Sequence, residues 1–111
     1  MFNLLKLFTP KPKAYKNLTG TAFQGEYKNA YKSVLIDVRT PSEFASGSIM
    51  GARNINIMSP RFKDTISQLP KDKEYFLFCR SGSRSAQACK IMAKEGFKVA
   101  NLKGGIHEWP S

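Results

Sequence analysis

Apolar and polar positions follow two rhythms along this chain. Ser33-Val34-Leu35-Ile36-Asp37-Val38 is a near-continuous, β-branched run, the pattern of a strand buried on both faces of a parallel sheet. Glu74-Tyr75-Phe76-Leu77-Phe78 repeats it with aromatics, residues 97–102 predict the last strand, and Asn54-Ile55-Asn56-Ile57 alternates like a short one. Between these runs the spacing turns helical. Residues 22–31 bring Phe23, Tyr27 and Ala30 or Tyr31 to one face, behind a cap at Thr19 or Thr21. Pro41 opens a helical turn carrying Ser42, Glu43 and Phe44, and residues 60–69 place Phe62, Ile66 and Leu69 together. Residues 86–94 are good helix formers with Gly96 set to stop them, and a short helix is expected over residues 106–109.

Strands thus alternate with helices, and the connections are too long for hairpins. The expected fold is α/β: a mainly parallel sheet of four or five strands with helices on both faces. Such sheets bind ligands outside the carboxyl ends of their strands, where both Asp37-Val38-Arg39 and Cys79 fall. The 111 residues are expected to form one domain over 17–111, with 1–16 standing apart as a loosely docked arm. In that arm Met1-Phe2-Asn3-Leu4-Leu5-Lys6-Leu7-Phe8 is apolar, but Lys6 interrupts it and no small-residue cleavage site follows, so a signal peptide is not expected. The sharper alternative is an amphipathic segment touching a membrane surface or a partner, helped by Lys11, Lys13 and Lys16.

Composition narrows the class. At 41% hydrophobic and 23% charged residues the chain reads as an ordinary soluble globule, with no apolar run near the roughly 18–20 residues a transmembrane helix needs. Two cysteines are too few for a disulfide scaffold and point to a reducing, cytoplasmic setting. The net charge of +10 favours anions, yet the basic residues are spread without a dense run. Steering of small anions is expected, and specific nucleic-acid binding is not.

The chemistry concentrates in Cys79-Arg80-Ser81-Gly82-Ser83-Arg84-Ser85. A cysteine ends a strand, a polar six-residue loop follows, and a helix begins. Backbone N–H groups and the positive helix end then converge on one point and favour a thiolate. Gly82 admits a positive φ, the serines can donate hydroxyls, and Arg80 and Arg84 add charge. Cys79 is therefore the candidate nucleophile, with Arg80, Ser81, Gly82, Ser83, Arg84 and Ser85 as the anion cradle.

Other candidates are weaker. Cys89 shares an apolar helix face with Ala86, Met92 and Ala93 and reads as core rather than as a resolving thiol. His107, the only histidine, reads as a surface residue rather than a base for Cys79. Without such a base the loop itself must activate the thiol, which suits attack on an electrophilic sulfur better than on an amide. Asp37 either pairs with Arg39 and caps its loop or orients Arg39 near the cysteine loop; Arg53 reads as a solvated charge. No metal site is expected from two cysteines and one histidine at this spacing.

Three motifs in order resemble the rhodanese-like domains over about residues 34–109. Leu35-Ile36-Asp37-Val38-Arg39, followed by Glu43-Phe44, Gly47, Ile49, Gly51-Ala52 and Asn54-Ile55, is similar to the family's first signature. The Tyr75–Ala86 stretch around Cys79 resembles its active-site strand, loop and helix, and Leu102-Lys103-Gly104-Gly105-Ile106 with Trp109 its closing motif. The resemblance implies a five-stranded parallel domain and sulfur transfer without a cofactor. Cys79 would attack the outer sulfur of thiosulfate or a similar anionic donor, sulfite would leave, and the persulfide would pass its sulfur to cyanide or to a small or protein thiol. Ser48 and Met50 depart from the histidine and proline common in the family, which leaves the shape of that loop open.

Two rivals stand beside this reading. A cysteine phosphatase or arsenate reductase uses the same strand-loop-helix idea but puts five residues between cysteine and arginine, where this chain has four between Cys79 and Arg84. A non-catalytic binding or regulatory module is the second, against which the retained Cys79 speaks.

Overall fold

The computed structural model of the protein describes residues 14–111. Five strands, β1 (Lys16–Leu18), β2 (Ser33–Asp37), β3 (Arg53–Asn54), β4 (Glu74–Phe78) and β5 (Lys98–Leu102), form one sheet in the order β1-β5-β4-β2-β3. Every pairing is parallel, with Leu35 opposite Phe76 and Leu77 opposite Asn101. The helices are α1 (Gly20–Asn29), α2 (Pro41–Ala45), α3 (Phe62–Ser67) and α4 (Ser83–Lys94), with a 3₁₀ turn over Ile106–Glu108. The α/β expectation therefore holds, with five strands.

Alternation along the strands divides the core into two layers. Ile36, Val38, Tyr75, Leu77 and Cys79 point to one face and meet Phe62 and Ile66 of α3 and Ala88, Cys89, Met92 and Ala93 of α4. Leu35, Phe76, Phe78, Ala100 and Leu102 point to the other, where Phe23 of α1 and the terminal Trp109 cover them. Phe23 packs edge-on against Phe76 at 5.5 Å between ring centroids, and each such fully buried side chain contributes about 1.5–3 kcal/mol.

Several boundaries differ from the sequence reading for local reasons. Strand β3 stops at Asn54, yet the N–H groups of Ile55 and Ile57 continue along β2 by donating to the Asp37 and Val38 carbonyls. Helix α3 spans only Phe62–Ser67, although Leu69 still packs on its layer. Thr19 is the cap position of α1 but its side chain makes no capping bond. Helix α4 ends as expected at Gly96, whose φ of 93° lets Phe97 N–H reach the Met92 carbonyl and Gly96 N–H the Ala93 carbonyl.

At the amino end of the described residues, Tyr15 packs on the first layer and β1 begins at Lys16. The expectations for residues 1–13 lie outside the described residues. Among the described residues, no helix is long and apolar enough to cross a membrane.

Candidate active site

The central strand β4 delivers Cys79 to the carboxyl edge of the sheet, and α4 starts sooner than its helix-former run suggests. Gly82 is already its cap residue, and Ser83, Arg84 and Ser85 form its first turn. The expected six-residue loop is thus three residues of loop, Arg80 to Gly82, plus three of helix. The difference matters chemically, because the first-turn N–H groups of a helix are the ones left without carbonyl partners.

Those groups close on the thiol. Gly82 N–H donates to Cys79 Sγ at 3.0 Å and the Ser85 hydroxyl donates to it at 3.3 Å. Burial pushes the thiol up, but the Ser85 hydroxyl and the N–H groups of Ser85, Gly82 and Ser81 outweigh it and bring Cys79 below its ordinary value. The leading opposition to burial is hydrogen bonding from the loop rather than the arginine charges invoked from the sequence. In the resting loop Cys79 is 0% exposed, while Arg80, Ser81 and Ser83 form the exposed rim above it.

Two glycines make the close packing feasible. Gly82 takes a φ of 98°, as the loop requires. Gly105, with φ 91°, presses so closely on the loop that a Cβ there would overlap the Arg80 carbonyl. Ile106 N–H then donates to the Cys79 carbonyl at 2.8 Å. The Gly104-Gly105-Ile106 segment thus clamps the cradle from outside.

The arginines are divided between two carboxylates. Arg39 is held by Asp37, Nη2 to Oδ2 at 2.8 Å, and its other bond goes to the Gly47 carbonyl at 2.7 Å rather than to the cysteine loop. Asp37 also accepts from the Ser48 hydroxyl at 2.8 Å, so the departure at Ser48 leaves a working donor to this buried carboxylate. Arg84 meets Glu43 in a paired bond that uses two of its five N–H groups. Glu43 in turn belongs to a capping box with Thr40, which the Thr40-Pro41-Ser42-Glu43 spacing signals and the sequence reading misses.

The other candidates fall away from the thiol. Cys89 is in the core of the α4 layer, its thiol pushed up by burial, and it forms no disulfide with Cys79. His107 is exposed on the terminal 3₁₀ turn, and Arg53 is exposed at the start of β3. Asn101, which no motif singles out, donates to the Gly82 carbonyl at 3.3 Å from inside the sheet.

The fold and site define a class of parallel α/β domain in which the middle strand ends on a buried thiol, hydrogen-bonded beneath the start of a helix. The rhodanese-like domain family model matches residues 23–111, and the chain belongs to that family. It is 40% identical over 77 residues to a sulfurtransferase of Allochromatium vinosum, covering 68% of this chain and 70% of that one. It is 36% identical over 94 residues to the putative sulfurtransferase YtwF of Bacillus subtilis, covering 85% and 89%. Among solved structures, a rhodanese-like domain protein of Staphylococcus aureus superposes with a TM-score of 0.74 at 27% identity, covering 86% of this chain and 92% of that one.

Proposed function

We propose that this protein is a sulfurtransferase that carries sulfur as a persulfide on Cys79. The observation that carries the reading is the Cys79 sulfur held by Gly82 N–H and the Ser85 hydroxyl, a set of donors matched to a thiolate and to its persulfide anion. The relatives named as sulfurtransferases support it.

In this scheme the Cys79 thiolate attacks the outer sulfur of thiosulfate or a similar anionic donor. A Cys–S bond forms, the donor S–S bond breaks, and its electron pair leaves with sulfite. The new terminal sulfur is an anion, and the cradle N–H groups stabilise it. Cyanide or a thiolate then attacks that sulfur and Cys79 departs as thiolate, so no proton or electron is left over. Arg80 and the free edge of Arg84 receive the donor's charge. Because the sulfur is closed off in the resting loop, donor binding must draw the exposed Arg80 and Ser81 outward. Two free cysteines fit a reducing compartment such as the cytoplasm.

The test is intact mass after incubation with thiosulfate, removal of excess donor, and then cyanide, with Cys79→Ser alongside. A gain of one sulfur atom that cyanide discharges and that the variant lacks supports the reading. A folded, reduced protein that gains nothing from thiosulfate or from other sulfane donors overturns it.

A further inference from the structure

Asn101 lies on β5 opposite Leu77, on the sheet face that carries Cys79, and is 2% exposed. Its amide nitrogen donates twice: to Asn17 Oδ1 on β1 at 2.9 Å and to the Gly82 carbonyl at 3.3 Å. Its own Oδ1 is buried without a partner among the described residues. That oxygen carries a desolvation penalty, against which stand the two bonds of the amide nitrogen.

Gly82 is the residue whose N–H points at Cys79 Sγ, and it does so from a left-handed φ of 98°. A glycine has many alternatives to that geometry, so the aim of its N–H depends on what holds its carbonyl. Two donors do: Ala86 N–H, the first full helical bond of α4, at 3.0 Å, and the Asn101 amide. The second comes from the sheet rather than from the helix, and Asn17 fixes its orientation from the edge strand.

We propose that Asn101 is a positioning residue for the thiolate: anchored by Asn17, it holds the Gly82 carbonyl and so keeps the Gly82 N–H trained on Cys79 Sγ. The proposal rests on Cys79 working as a thiolate, and it adds a second tier of support that begins on β1. Arg84 and Cys89 on α4, which interact electrostatically with the Cys79 thiol, are untouched by the substitutions that test it.

The experiment is the pH dependence of Cys79 alkylation by iodoacetamide in the full chain, read on the Cys79 peptide by mass spectrometry. In Asn101→Leu the midpoint is expected to rise by about half to one pH unit, slowing alkylation below it roughly 3- to 10-fold. Asn17→Ala is expected to move it the same way by less, and to add nothing to Asn101→Leu, as two links of one chain should behave. A folded Asn101→Leu protein with the wild-type midpoint overturns the proposal. Should that variant fail to fold, Asn17→Ala decides: an upward midpoint supports the proposal and an unchanged one overturns it. Sulfur loading of the wild type is measured separately. If loading fails, the transferase reading falls while the alkylation profile still decides the role of Asn101.

Discussion

Glu43 and Arg84 stand 41 residues apart and meet through two parallel bonds, Nη1 to Oε1 at 2.7 Å and Nη2 to Oε2 at 3.0 Å. The pair joins the capping box of α2 to the first turn of α4, so the loop after β2 and the cysteine cradle are braced against each other.

Bonding to Arg84, then to the Thr40 N–H, depresses the Glu43 carboxyl from 4.5 to about 2. A carboxyl depressed in the folded state adds stability that is complete above its ordinary value and disappears as pH falls through its folded one. Glu43→Gln is therefore expected to cost about 1 kcal/mol at pH 7, a modest figure because the pair is partly exposed. Urea midpoints measured at falling pH should converge with the wild type between 4.5 and about 2. A difference that persists unchanged at the acid end would assign the cost to something other than this charge.

Ser85 offers the most direct handle on the thiol. Ser85→Ala removes the hydroxyl that bonds Sγ at 3.3 Å but leaves the backbone donors. The alkylation midpoint of Cys79 is expected to rise by about half to one unit, with sulfur loading at pH 7 slowed in step. Cys89, whose thiol burial pushes up, should stay unlabelled until the protein unfolds.

Two glycines that share a positive φ, Gly82 at 98° and Gly105 at 91°, should respond differently to alanine. A Cβ on Gly105 overlaps the Arg80 carbonyl, whereas one on Gly82 meets Gly104 N at 3.1 Å. Both substitutions force an unfavourable positive φ, but Gly82→Ala needs backbone to give by only a few tenths of an ångström, whereas Gly105→Ala must push the Arg80 carbonyl well out of place. Denaturant titration should show about 3 kcal/mol lost at Gly105 and about 1–2 kcal/mol at Gly82. Equal losses would mean that the clamp gives way freely.

The buried Asp37 carboxylate separates charge from hydrogen bonding. Ser48→Ala removes one neutral donor and is expected to cost about 1 kcal/mol. Arg39→Ala strands a carboxylate with no exposed surface and should cost about 3–5 kcal/mol. Thermal unfolding of the two variants decides the order, and a larger loss at Ser48 would contradict it.

The legible parts of this protein are those with a periodic or steric signature. Buried parallel strands announce themselves as unbroken apolar runs at Leu35-Ile36 and Phe76-Leu77, and Gly96 marks a helix end because few other residues tolerate its φ. Cys79 is legible because a strand end, small residues and a helix follow one another. The early start of α4 is not: Ser83, Arg84 and Ser85 are indifferent helix formers on balance, and the run of small and long helix formers begins only at Ala86. From sequence alone Arg84 faces only a ligand, because nothing local names Glu43 as its partner. Asn101 is invisible for the same reason, since its bonds to Gly82 and Asn17 are made across the sheet.

The strand order has a consequence for biosynthesis. β1 is the first strand of the described chain and pairs only with β5, the last, and Asn17 reaches Asn101 across 84 residues. A ribosome delivers these partners 84 residues apart, and contacts so far apart in sequence close slowly. The clamp at Gly105 and Ile106 emerges later still. The residues of β2 and β4 thus leave the ribosome ahead of the contacts that β5 and the segment after it make with the Cys79 loop. Every support that comes from Asn101, Gly105 and Ile106 lies downstream of the cysteine it braces.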